Sequence, residues 1–499
     1  MINKAKTFFA FGIVLIATLL AGCNSTGVDA GMTGTPMNET FYNPLVNNRM
    51  LGDPWVFLHD GYYYYNSPFT GGSGIKIIKS PKLTQLAAND SDETATKIIF
   101  RAKSANLVEV WAPEIFFFEG HWYCYFTATQ DLAVSIERDT ARRIYGIKSV
   151  TDDLFGEWEA AVKIELPLDY RAIDATFMNY ASKQYIIWSG WPNAINDGYQ
   201  QNLYITELMN GNPLQVKSLD ASARHLIAVP TYEYEVTSVR QNEGPAVGYS
   251  PSGVPIIFYS GNYSGDDSYC ISYLKLIGDN VTDVNDWHKP NTPLMATDME
   301  YSEVIAPGHC SITKSIDGTE DWMLYHAAKF SGAGWDRVAR LQKITWSGDD
   351  PIVEHIEKIA AEVTLPAGEI VNRIKYEAEL ALLSEDCYVI DKTGFASNDK
   401  AVSISEQGTI QFDVAVPANG LYAIAIRYSN RDSLETTIDV NINGNNNSIF
   451  TPHTQYDDSF SMSWFYNDLY IKREGVNNII ISADSSIYID CIVIDYLNH

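Results

Sequence analysis

The sequence predicts an almost all-β protein in two parts, a five-bladed β-propeller followed by a β-sandwich of jelly-roll type. Three observations predict it. An aromatic-rich strand recurs five times, each behind a lone acid or histidine. Short alternating strands follow beyond residue 374, and strong helical periodicity is scarce throughout. The recurring strands are GYYYYNS (61–67) behind Asp53, GHWYCYFTA (120–128) behind Glu114, QYIIWSG (184–190) behind Asp174, PIIFYSG (255–261) behind Glu243, and DWMLYHA (321–327) behind His309. Successive heads stand roughly 60 to 70 residues apart, and a repeat of this kind signals a propeller or solenoid, because one unit cannot bury its own apolar face. Five units predict five innermost strands that aim their polar heads into one central funnel.

The elements follow in order. Residues 1–22 read as a lipoprotein signal peptide: Lys4 and Lys6 precede an apolar run that is short for a membrane span, and Leu20-Ala21-Gly22 leads to Cys23. This box resembles that of bacterial lipoproteins, which implies cleavage before Cys23 and lipid on its thiol. Residues 23–39 are then expected to form a lipidated, flexible tether, rich in Gly, Thr and Ser. The propeller should occupy 40–370, ending in a stretch (351–372) that carries no aromatic strand pair. Strand-like runs at 409–416, 420–428, 437–442, 478–482 and 488–496, parted by turns such as Asn443-Gly444-Asn445, place the sandwich at 374–499. Five cysteines remain beside Cys23. They show no metal-like spacing, and buried free thiols are favoured over a Cys387–Cys491 pair.

A formal net charge of −27 argues against nucleic acid and other polyanions as partners. Neutral polymers fit it. Asp53, Asp174 and Glu243 are each flanked by small or apolar residues at a strand start, a poor place for a solvating charge. Breaking a glycosidic bond takes one carboxylic acid to protonate the leaving oxygen and a second carboxylate on the other side. A third can orient or tune the acid. Three acids on one repeat lattice suit that chemistry better than three unrelated caps.

The motifs GDPWV, VWAPEI, AIDATF, EGPAV and APGHCS, in that order and spacing, resemble glycoside hydrolase family 43. WSGW (188–191), FGEW (155–158) and GWDRVARLQKITW (334–346) add to the match. The resemblance implies a five-bladed propeller, an inverting mechanism, Asp53 as general base, Asp174 as pKa modulator and orienter, and Glu243 as general acid. It implies no cofactor for the chemistry. His309 corresponds to a histidine often found near a funnel calcium or sodium ion, with Cys310 where Asn is usual. Trp111, Trp191 and Arg340 stand as substrate-binding candidates, and Glu114 as scaffold.

The second part resembles carbohydrate-binding module families 6 and 35 through YEAEL, GLYAIAIRYSN, GVNNIIISAD and IDYL. That likeness implies a structural calcium on Glu377, Glu379 and Asp495, with Tyr388, Tyr456 and Trp464 as available aromatics. The combined expectation is an exported, membrane-anchored monomer, lipidated at Cys23. It would release terminal α-L-arabinofuranose from arabinose- or xylose-containing polysaccharide or oligosaccharide. A β-xylosidase, an endo-arabinanase and a non-catalytic glycan-binding lipoprotein are the alternatives on the same scaffold.

Overall fold

The computed structural model describes residues 32–45, 52–69, 71–88, 93–195, 198–405, 407–431, 436–454, 458–471 and 475–497. The expected signal peptide, Cys23 and Tyr456 lie outside them. Five antiparallel sheets follow one another along the chain among the described residues. Their first strands are Trp55–His59, Leu107–Phe118, Ala172–Tyr180, Asn242–Tyr249 and Ile305–Lys314, and their second strands are Tyr62–Phe69, His121–Gln130, Lys183–Gly190, Pro255–Gly261 and Asp321–Ala328. Each first strand neighbours the first strand of the next sheet, and the fifth neighbours the first, so the sheets close a propeller-type ring. Thr40–Tyr42 pairs with Glu362–Thr364 and brings the two ends of this part together.

The polar heads turn inward through one backbone device. Asp53, Asp174, Gly244 (after Glu243) and His309 have φ of 52°, 53°, 56° and 38°, and Ala112 near Glu114 has φ of 43°. The pairing of first with second strand slips at these points in the second to fifth sheets. A bulge of this kind re-aims a side chain out of the pleat. Left-handed backbone at a non-glycine residue costs on the order of 1–3 kcal/mol and persists only where its surroundings hold it.

Those surroundings are the same at all five seams. The second strand of each sheet carries a polar residue after an aromatic one, and its side chain bonds the head peptide of the neighbouring sheet. Thr127 Oγ1 accepts from the Asp174 amide (3.0 Å), Ser260 Oγ from the His309 amide (2.8 Å), and His326 Nδ1 from the Asp53 amide (3.1 Å). Asn66 donates to the Pro113 carbonyl (2.5 Å) and Ser189 to the Asn242 carbonyl (2.9 Å), the other ends of the peptide groups that lead into Glu114 and Glu243. All five polar side chains are fully buried.

Beyond the ring, a seven-stranded and a five-stranded sheet face each other across a core rich in isoleucine, which includes Ile424, Ile438, Ile481 and Ile492. The predicted strands all appear here, within a few residues of their expected ends. The expected flexible tether is corrected in part. Thr35–Pro36 adds to the edge of Arg373–Glu377, and Met37 is buried, because that sandwich edge offers an open row of hydrogen-bonding groups.

One apolar core spans both parts, with Phe41, Trp322, Leu324 and Leu341 from the ring against Ala423, Met462, Trp464 and Val493 from the sandwich. A fully buried ion pair lies beside it: Arg373 Nε meets Asp495 Oδ2 at 2.9 Å, and Gln85 Nε2 donates to Asp495 Oδ1 at 2.8 Å. Arg373 also donates to Thr84 Oγ1 and to the Thr40 carbonyl. Removing one partner of such a pair strands the other charge without water. Arg373→Ala is therefore expected to lower the unfolding free energy by about 3–5 kcal/mol in chemical denaturation. A loss under 1 kcal/mol would show that the pair does not join the two parts.

Candidate active site

Asp53, Asp174, Glu243 and His309 come from four sheets and meet in the funnel. His309 Nδ1 lies 3.3 Å from Asp53 Oδ1, and Arg337 Nη1 lies 3.8 Å from the same oxygen. Glu243 is held at both ends: the Tyr269 hydroxyl contacts Oε1 and Gln201 Nε2 donates to Oε2, each at 2.9 Å. Gln201 is fixed in turn by Arg171, whose Nη1 donates to its Oε1 at 2.5 Å. Asp174 Oδ2 accepts from the Gly244 amide at 3.0 Å, so the orienting acid grips the backbone that carries Glu243. A side chain at Gly244 would strike the His309 ring, since an added Cβ would sit 2.9 Å from Nδ1. Glycine is required there by both its φ and its neighbour.

The electrostatics single out Asp174. Burial pushes its pKa up to about 7; His309 and the Gly244 amide oppose the shift, while the charges of Glu243 and Asp53 add to it. Burial, Arg337 and His309 hold the His326 pKa well below the ordinary histidine range. His326 is thus the neutral acceptor that its bond to the Asp53 amide requires, and no ion pair joins it to that carboxylate. Glu114 reaches the ring interior too, but burial raises its carboxyl well above the usual range, with the Thr176 hydroxyl and Asp174 as neighbours. An acid enclosed in this way is consistent with the scaffold role expected of it.

Other expectations are corrected. Arg340 is 1% exposed, bonds the Tyr325 hydroxyl (3.0 Å) and the Glu357 carbonyl (2.5 Å), and lines a cavity at the sandwich boundary with Pro44 and Phe460. The arginine that reaches Asp53 is Arg337. The two stand three positions apart along one strand, and an odd offset reverses the face. Trp191 is buried, with no open ring face for a sugar. Trp111 is half-buried, and the Arg142 guanidinium sits 3.2 Å from its ring centre, where a sugar would have to stack. Trp464 is also buried and donates to the Pro44 carbonyl (3.0 Å), whereas Tyr388 is exposed.

The residues expected to hold calcium do not gather as a set. Asp495 faces the ring and is occupied by Arg373, four strand positions from the partner of Glu377. The acid beside Glu377 is Asp490, with the Ser397 hydroxyl between their carboxylates; Glu379 is near them and bonds Asn398. Among the described residues, no three His, Cys, Asp or Glu side chains are arranged to hold a metal ion. His309, expected near an ion, turns its Nδ1 toward Asp53 Oδ1 at 3.3 Å. The five described cysteines are buried and free.

Comparison with known proteins agrees with this geometry. The model of glycosyl hydrolases family 43 matches residues 41–352, and one described as delta endotoxin matches residues 377–494. An extracellular exo-α-(1→5)-L-arabinofuranosidase of Streptomyces avermitilis is 30% identical over 319 residues, which cover 62% of this chain and 62% of that protein. The match thus spans less than two thirds of that relative. The solved α-L-arabinofuranosidase from Lactobacillus brevis is 26% identical with a TM-score of 0.56, over 64% of this chain and 98% of that one. An exo-β-1,3-galactanase from Phanerochaete chrysosporium shares the fold across both parts. Its TM-score is 0.53 at 14% identity, over 93% of this chain and all of that one (100%).

The raised Asp174 carboxyl makes a prediction with a definite sign. Its folded pKa exceeds its unfolded one, so the folded chain binds that proton more tightly, and stability falls as pH rises from about 4 toward about 7. Asp174→Asn keeps an acceptor for Gly244 without the charge. Thermal melting should show the variant more stable than wild type at pH 8, by on the order of 4 kcal/mol, with the gap closing toward pH 4. An equal gap at both pH values would contradict this.

Proposed function

The chain belongs to glycosyl hydrolases family 43, and we propose that it is an inverting exo-α-L-arabinofuranosidase acting on arabinose-containing glycans. The observation that carries the reading is the convergence of Asp53, Asp174 and Glu243, each at the head of the first strand of a different sheet and each at or beside a residue of positive φ. In the proposed reaction Asp53, faced by His309 and Arg337, takes a proton from a water that attacks the anomeric carbon. The bond from that carbon to the leaving oxygen breaks, and Glu243 gives its proton to that oxygen. Asp174 acts through the Gly244 amide and through its charge. Attack opposite the leaving group inverts the anomeric centre. The relatives named as arabinofuranosidases support the choice of sugar, and the word extracellular in one of their names supports export. Lipid attachment at Cys23 completes the proposal for location. A glycan-binding role for the sandwich has the exposed Tyr388 as its open aromatic among the described residues expected there.

Turnover of 4-nitrophenyl α-L-arabinofuranoside, the matching β-xyloside, and unsubstituted arabino-oligosaccharides tests the reading. Wild type should cleave the arabinosides with inversion seen by NMR and prefer them to the xyloside. Asp53→Asn should lose at least about 1000-fold in kcat on all of them. Glu243→Gln should lose more on oligosaccharides than on the nitrophenyl glycoside, whose leaving group needs less protonation. Full activity of either variant on oligosaccharides would refute its assigned role.

A further inference from the structure

The aromatic residues expected to meet the sugar are covered, yet one large aromatic near the funnel is open. Trp335 is 56% exposed, although it is anchored in a braced loop. Its Nε1 donates to Ser264 Oγ (3.2 Å), and its ring meets Tyr263 edge-on with centres 6.0 Å apart. Gly265 lies beneath it, where an added Cβ would be 3.3 Å from the indole. Ser331 Oγ and the Gly332 amide both donate to Asp267, at 2.5 and 2.9 Å, and tie the loop after the fifth sheet's second strand to the loop after the fourth's. Arg337, two residues beyond Trp335, bonds the Ser264 carbonyl as well as facing Asp53. Tyr263 stands on the other side, where burial and the charge of Glu243 raise its hydroxyl pKa. An exposed indole fixed by three contacts of its own, in loops braced by three further hydrogen bonds, does not serve core packing, and the loop it leans on leads to Tyr269, whose hydroxyl bonds Glu243.

We propose that Trp335, with Tyr263 at its edge, forms the subsite for the sugar on the leaving-group side, where a neutral pentose ring lays its C–H face on the indole. This rests on the arabinofuranosidase reading, because the acid residue marks the side from which the leaving chain departs. Stacking suits the ligand's chemistry: a pentose in a neutral glycan offers an apolar face and no charge. The loop bracing fixes the indole before the ligand arrives, which lowers the ordering cost of binding.

The test compares two substrates that differ only in the leaving group, arabinotriose and methyl α-L-arabinofuranoside. Trp335→Ala should reduce kcat/KM on arabinotriose at least about 10-fold more than on the methyl glycoside, whose leaving group has no ring. Trp335→Phe should recover most of the difference. Calorimetric binding of arabinotriose to Glu243→Gln, with and without Trp335→Ala, gives a reading that needs no turnover and should show the same weakening. Equal losses on both substrates, or unchanged arabinotriose binding, would overturn the subsite. If wild type cleaves neither substrate, the arabinofuranosidase reading fails by itself, and the binding arm still decides on Trp335. Melting temperatures of the variants separate a lost contact from a lost fold.

Discussion

The structure depends on a hydrogen bond made five times over, from a buried polar side chain on the second strand of one sheet to the peptide at the head of the next. Thr127, Ser260 and His326 accept the amide hydrogens of Asp174, His309 and Asp53, while Asn66 and Ser189 donate to the carbonyls that precede Glu114 and Glu243. Each bond lies at a seam between sheets, so the contact that closes the ring also sets the direction of a functional side chain. A bulged peptide leaves the ladder and would otherwise be buried without a partner, at about 1–3 kcal/mol per group. Satisfying it from the neighbouring sheet makes the strained backbone tolerable and couples each head to the sheet beside it.

This explains why carboxylates from three sheets can share one dry site. Gly244 shows the tightness: its amide serves Asp174, its φ is positive, and the His309 ring fills the space a side chain would need. Burial, with the charges of Glu243 and Asp53 adding to it, then raises Asp174, a cost that a purely structural residue would not be expected to carry. The sandwich contributes at a distance. Its core continues into the ring through Trp464 and Met462, and the Arg373–Asp495 pair fixes the two parts beside Thr84 and Gln85.

Much of this was legible in the sequence. The polar heads, the order of the strands and the change of character near residue 374 all show in local pattern, because side-chain period and turn residues are local properties. The seam bonds had a visible signal, an aromatic followed by Asn, Thr, Ser, Ser or His at residues 66, 127, 189, 260 and 326. Its meaning lay in the neighbouring sheet, 47 to 53 residues on for the first four and 273 residues back for His326. The motif carries both Arg337 and Arg340, and only the register of the strand says which one faces Asp53. Trp191 and Trp111 illustrate the same limit: a tryptophan beside a site motif does not reveal whether an arginine already covers its ring. Asp495 has the local pattern of an ion ligand, but Gln85 of the ring and Arg373 of the adjoining sandwich strand lie against it.

The most direct test of the seam account is kinetic analysis of Thr127→Val, a near-isosteric change that removes the acceptor of the Asp174 amide and touches no substrate. The account predicts that kcat on an α-L-arabinofuranoside falls at least about 10-fold, since a misaimed Asp174 loosens its hold on Gly244 and Glu243, with unfolding free energy lowered by about 1–3 kcal/mol. A variant that loses that stability while keeping kcat within about two-fold would contradict it, because the seam would then hold the ring together without aiming the site.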